Sequence, residues 1–109
     1  MDKIEVPILQ YQLSSLYHAS QSLGEAEQVF SVASVEEFEY GQQQKIAQII
    51  IRLMRSGEVT PALVGSEAGK ESLDLYKYFG VSISSEHWGT PTFCANRVHE
   101  EGIRARLGT

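Results

Sequence analysis

The chain is poor in the residues that staple a small protein or coat it with positive charge. It carries one cysteine, Cys94, so an internal disulfide is excluded, and a lone thiol fits a reducing compartment such as the cytoplasm. Nine Lys and Arg stand against fourteen Asp and Glu, a net charge of −5. That excludes a generally basic nucleic-acid coat. No long apolar run is present. The most apolar stretch, residues 46–54, is interrupted by Gln48 and Arg52 and falls far short of the roughly 20 residues that span a bilayer. The first residues, Met1-Asp2-Lys3-Ile4-Glu5, lack the apolar core of a secretory signal.

What is present suffices for one core. For 12.1 kDa, size scaling gives about 6,000 Å² of folded surface against roughly 17,500 Å² unfolded, so about two-thirds is buried without a staple. Apolar residues make up 42% and charged residues 21%, a globular balance and not a disordered one. The expectation is a single domain over residues 1–109.

Helical periodicity dominates. Pro7 suits a first helical position, and Leu9, Leu13, Leu16, Tyr17 and Ser20 follow at spacings of three and four, closed by Leu23. Ala26, Val29, Phe30 and Ala33 continue the pattern past Gly24. Ser34-Val35-Glu36-Glu37 has the capping-box form, predicting a helix from Val35 through Ile46, Ile49, Ile50 and Leu53 to Ser56, with Gly57 after it. Thr60-Pro61 repeats a cap-and-proline start and predicts a short turn, with Gly65 and Gly69 reading as loop. Leu73, Tyr76 and Phe79 predict a helix over residues 70–79. Val81-Ser82-Ile83-Ser84 alternates with the strand period. Residues 93–107 read as a final helix anchored by Val98 and Ile103. The expected architecture is a compact, mainly α domain with an N-terminal helical hairpin (residues 7–23 against 35–56), shorter helices and a small β element near 81–84. An α+β fold is the alternative.

Charge is segregated along the chain. Residues 1–39 hold seven acids (Asp2, Glu5, Glu25, Glu27, Glu36, Glu37, Glu39) and Lys3, a net of −6. Residues 40–80 hold five bases and four acids, and the last 29 hold three of each. Acids at a helix start favour the dipole, and a cluster of them also selects a basic partner.

The chemistry-bearing motifs are weak. His87, Cys94 and His99 include zinc donor types, but His-x6-Cys-x4-His lacks the close pair of ligands that lets a short loop hold an ion. On one helix Cys94 and His99 would point about 140° apart, which defeats an activated thiol and predicts a buried, inert Cys94. Gly65-Ser66-Glu67-Ala68-Gly69-Lys70 is followed by Glu71, not by the Ser or Thr of a phosphate loop. No catalytic set, cofactor site or metal site is expected. Leu73-Asp74-Leu75-Tyr76-Lys77-Tyr78-Phe79-Gly80-Val81-Ser82 resembles the first helix and turn of helix-turn-helix DNA readers. The residues that follow depart from that pattern: Ser84 to Trp88 contain no Lys or Arg, and Gly89 and Pro91 break the recognition helix that the resemblance implies.

These observations predict a small, acidic, non-enzymatic regulator, inhibitor or immunity-type module. It would bind another protein with a basic surface through Glu25, Glu27, Glu36, Glu37 and Glu39, with Tyr78 as an outward aromatic contact. A nucleic-acid-associated regulator using the residues 73–82 segment is one alternative. The other is a small enzyme with a site built around His87, Cys94 or His99. No membrane association is expected. The Ile-rich helix, apolar on more than one face, predicts a homodimer.

Overall fold

The computed structural model describes residues 8–39, 41–73 and 89–107. It is compact and mostly helical, with 77% of the described residues in helices and no strand among them. The five α-helices are α1 (Ile8–Ala19), α2 (Leu23–Phe30), α3 (Gln42–Ser56), α4 (Pro61–Lys70) and α5 (Pro91–Leu107), with a 3₁₀ turn at Val35–Glu37. Residues 74–79 of the anticipated helix, the β element near 81–84, Tyr78, His87 and nearly all of the helix-turn-helix-like segment lie outside the described residues.

The centre of the fold is α1, which packs most extensively on α5, then on α2, and less on α3. Four consecutive residues, Leu13, Ser14, Ser15 and Leu16, are buried, as is Ala19, which requires neighbours on several sides of the helix. The serines keep those neighbours close. Leu23, read as the end of the first helix, instead opens α2. The break comes at residues 20–22, where the Ser22 hydroxyl accepts from the Glu25 N–H at 3.1 Å and caps the new helix. The N-terminal helical pair is therefore α1 with α2.

The predicted helix over residues 35–56 divides at its start. Glu37 does reach back to the Ser34 N–H at 3.0 Å, but the turn that follows is a single 3₁₀ turn. Phe38 adopts an extended conformation and is buried at 2% exposure, its ring 6.0 Å from that of Phe30. Gly41, at φ +106°, redirects the chain into α3, a conformation a side chain would resist. Filling the core with Phe38 thus overrides continuation of the helix. Gln43 is buried, and its side-chain oxygen accepts the Glu39 N–H at 3.0 Å.

Within α3, Ile46, Ala47, Ile49 and Ile50 are buried. The helix packs on α1, α2, the 3₁₀ turn and α4, so its several apolar faces find their cover inside the chain. It ends as the sequence predicts, at Gly57 (φ +91°), whose N–H donates to the Met54 carbonyl at 3.0 Å while the Glu58 N–H reaches Leu53.

The largest departure from expectation is α4. Thr60 accepts from the Leu63 N–H at 3.1 Å, Pro61 takes the first position, and the helix runs through Gly65 and Gly69. Each glycine costs about 1 kcal/mol relative to Ala, but complete burial of Val64 and Ala68 against the core offsets it. The chain then stops where a helix was expected to begin. The Leu73 N–H donates to Ala68 at 2.9 Å and the Ser72 N–H to Gly69 at 3.1 Å, with Ser72 left-handed at φ +61°. That pairing is a Schellman ending, and it fixes the helix end at Lys70.

The cap-and-proline start recurs at Thr90-Pro91, where the Thr90 hydroxyl accepts from the Phe93 N–H at 3.1 Å. The core face of α5 is a narrow stripe of Cys94, Ala95 and Val98, all fully buried. Val98 is an anchor as expected. Ile103 is not: it is 38% exposed, because five residues on from Val98 it is turned about 140° around the helix, away from the buried face.

Candidate functional site

A cleft of about 370 Å³ lies between α1, the 3₁₀ turn and α5. Ile8 and Gln12 line it from α1, Glu36 and Glu37 from the turn, and Glu101, Gly102 and Ala105 from α5. Ile8 and Gln12 share a face of α1 because they are four residues apart; Glu101 and Ala105 share one on α5 for the same reason. The cleft is apolar at Ile8 and Ala105 and carries three carboxylates.

Those carboxylates differ in state. Glu37 is 5% exposed and is held from two sides. The Ser34 N–H donates to Oε1 at 3.0 Å, and the His99 Nδ1 lies 3.0 Å from Oε1 and 2.9 Å from Oε2. A carboxylate offers only acceptors, so Nδ1 carries the proton of that hydrogen bond. Gly102 makes the approach feasible: a Cβ there would lie 2.5 Å from Glu37 Oε2 and 2.9 Å from its Cγ. Glu101 pairs with Arg104 on the next turn of its own helix. Glu36 is exposed.

Of the acids read from sequence, the structure brings Glu36 and Glu37 together at the cleft, joined by Glu101. Glu25 and Glu27 lie on α2 and do not line it. Glu25 is half-exposed, 3.4 Å from His18 Nδ1, and accepts from the Ser22 hydroxyl. Glu27 and Glu39 are exposed. Tyr78 lies outside the described residues.

Sequence reasoning missed the contributions of Ile8, Gln12, Glu101, Gly102 and Ala105, and the pairing of Glu37 with His99. One signal was present. Gly102 interrupts an otherwise helical segment, and an interior glycine there usually has a packing reason. Cys94 is fully buried, and desolvation pushes its thiol up to about 11, which makes it a poor nucleophile at neutral pH. Among the described residues, no group of three or more His, Cys, Asp or Glu side chains is placed to hold a metal ion, and no helix is long and apolar enough to cross a membrane.

No protein-family model matches the chain, and no curated protein or solved structure matches it either. The cleft is interpreted from its own geometry.

Proposed function

We propose that this protein is a non-enzymatic protein-binding module whose cleft takes a basic side chain of a partner protein. The observation that carries the reading is the exposed Glu36 carboxylate beside the apolar surface of Ile8 and Ala105. A Lys or Arg side chain has the matching form: an aliphatic stem that prefers apolar contact and a cationic head that prefers a carboxylate. Glu101 supplies a second carboxylate once its exposed partner Arg104 swings aside. Glu37 does not need to contact the ligand, since its carboxylate is committed to Ser34 and His99. The acids outside the cleft, Glu25, Glu27 and Glu39, add a favourable field for a basic partner and speed its approach.

Affinity capture from nuclease-treated native lysate tests the reading, with wild type and Glu36→Lys compared side by side. A stoichiometric protein retained by wild type and lost with Glu36→Lys is expected. Equal retention by both, or no retained protein, would overturn the cleft as the binding site.

A second reading is catalysis at His99. A buried carboxylate on Nδ1 leaves Nε2 as a base in the neutral ring, and the side chain is 40% exposed. Hydrolysis of an activated ester by wild type, abolished by His99→Gln in a folded protein, would establish it. Equal rates would dismiss it.

A further inference from the structure

Two arginine–glutamate pairs lie on α5, each spanning one turn, and only one of them touches the cleft. Arg97 pairs with Glu100 at 3.1 Å, and Arg104 pairs with Glu101. Arg97 is held a second time, because its guanidinium lies 5.4 Å from the centre of the Tyr11 ring on α1, a cation–π contact. Among the described residues Arg104 pairs with Glu101 alone, and its side chain is 69% exposed. Glu101 lines the cleft, whereas Arg97 and Glu100 do not.

The three carboxylates of the cleft therefore differ in what holds them. Glu37 is fixed by Ser34 and His99, Glu36 is open to solvent, and Glu101 carries a guanidinium of its own chain. An exposed pair of this kind is weak, since water solvates both ions and the long Arg side chain loses freedom in forming it. Arg104 is thus a readily displaced ligand, and its guanidinium shows the chemistry that Glu101 accepts. We infer that Arg104 is an internal competitor for the cleft. An arginine of the partner takes its place on Glu101, and Arg104 returns to water. This inference rests on the reading of the cleft as a site for a basic side chain, and adds the residue that guards it. Arginine is the fitting guest because its planar fork offers a carboxylate two parallel N–H donors, which a compact ammonium does not.

Fluorescence anisotropy of the full chain with a short, labelled oligo-arginine peptide at low salt tests it. Arg104→Gln is expected to tighten binding about threefold, the scale of one exposed ion pair, with the helical circular-dichroism signal unchanged. Loss of a positive charge also favours any cation through the general field. The same change is therefore made in the Glu101→Gln background, where the gain should vanish because Arg104 has no carboxylate to occupy. Arg97→Gln, which frees a carboxylate outside the cleft, should give no comparable gain. An oligo-lysine peptide of equal length should bind wild type less tightly than the oligo-arginine. Binding by wild type that is lost in Glu36→Lys supports the cleft whatever Arg104 does. An Arg104→Gln gain that is absent, persists in Glu101→Gln or is matched by Arg97→Gln would overturn the inference and leave the cleft standing. Equal affinity for the two peptides would overturn arginine as the guest. A wild type that binds neither peptide would overturn the cleft and the inference together.

Discussion

The imidazole of His99 bridges both carboxylate oxygens of Glu37, with Nδ1 at 3.0 and 2.9 Å across 62 positions of sequence. This contact fastens the 3₁₀ turn to α5, forms one wall of the cleft and orders the backbone that displays Glu36. A double-mutant cycle should detect it. Glu37→Ala should destabilise by about 0.5–1.5 kcal/mol, because the Ser34 N–H and the His99 ring lose their acceptor but are exposed enough to regain water. With His99→Ala, the coupling should come to about 0.5–1 kcal/mol, limited by the partial exposure of the imidazole. Additive losses in urea unfolding would show that the two residues do not support one another.

Gly102 should respond in the opposite sense to an ordinary helix glycine. Replacement by Ala inside an exposed helix normally gains about 1 kcal/mol. Here the added methyl group meets Glu37 Oε2 at 2.5 Å and must displace a carboxylate held by two donors. Gly102→Ala should therefore destabilise by about 1–2 kcal/mol. In the Glu37→Ala background the same change should become stabilising. Unfolding midpoints of the four proteins decide the matter, and a stabilising Gly102→Ala in the wild-type background would refute the close approach.

Ser15 presents a buried hydroxyl, fully shielded from solvent, with no hydrogen-bonding partner among the described residues. Ser15→Ala removes that unsatisfied group, keeps the small volume and improves helix propensity. A gain of about 1 kcal/mol is expected. A loss of stability on this change would show that the hydroxyl is engaged.

Cys94 predicts an alkaline dependence. Its native thiol, pushed up to about 11 from an ordinary value of 9.0, keeps its proton where the unfolded thiol loses it. The unfolded state then binds fewer protons than the native state, so stability falls as pH rises from about 9 toward 11, by at most about 3 kcal/mol. The measurement is the difference between wild type and Cys94→Ala in urea midpoint at pH 8 and pH 10. Parallel behaviour of the two proteins would contradict the burial of the thiol as the cause.

What the sequence disclosed was local chemistry with a short reach. Cap residues and apolar spacing located the body of α3 and its Gly57 terminus, and residues 93–107 read correctly as helix because Val98 and its neighbours repeat with the helical period. Local chemistry misled where burial decided the outcome. Val64 and Ala68 carry α4 through two glycines, and the capping box at Ser34 ends in one turn because Phe38 is drawn into the core. The cleft was half legible. Glu36 and Glu37 stood out as acids, but which one turns inward depends on His99 and Gly102, 62 and 65 residues from Glu37. No local pattern encodes a contact of that range. The outward face of α5 was illegible for a related reason, since Ile103 is apolar like Val98 and only the packing shows that Val98 alone of the two is buried.

The most direct test of the binding cleft is an amide chemical-shift titration of the isotopically labelled protein with a short arginine-rich peptide. Saturable shifts are expected at Ile8, Gln12, Glu36, Gly102 and Ala105, weakening with added salt and lost in Glu36→Lys. Shifts absent from those residues, or unchanged by Glu36→Lys, would contradict the assignment of this cleft to a basic partner.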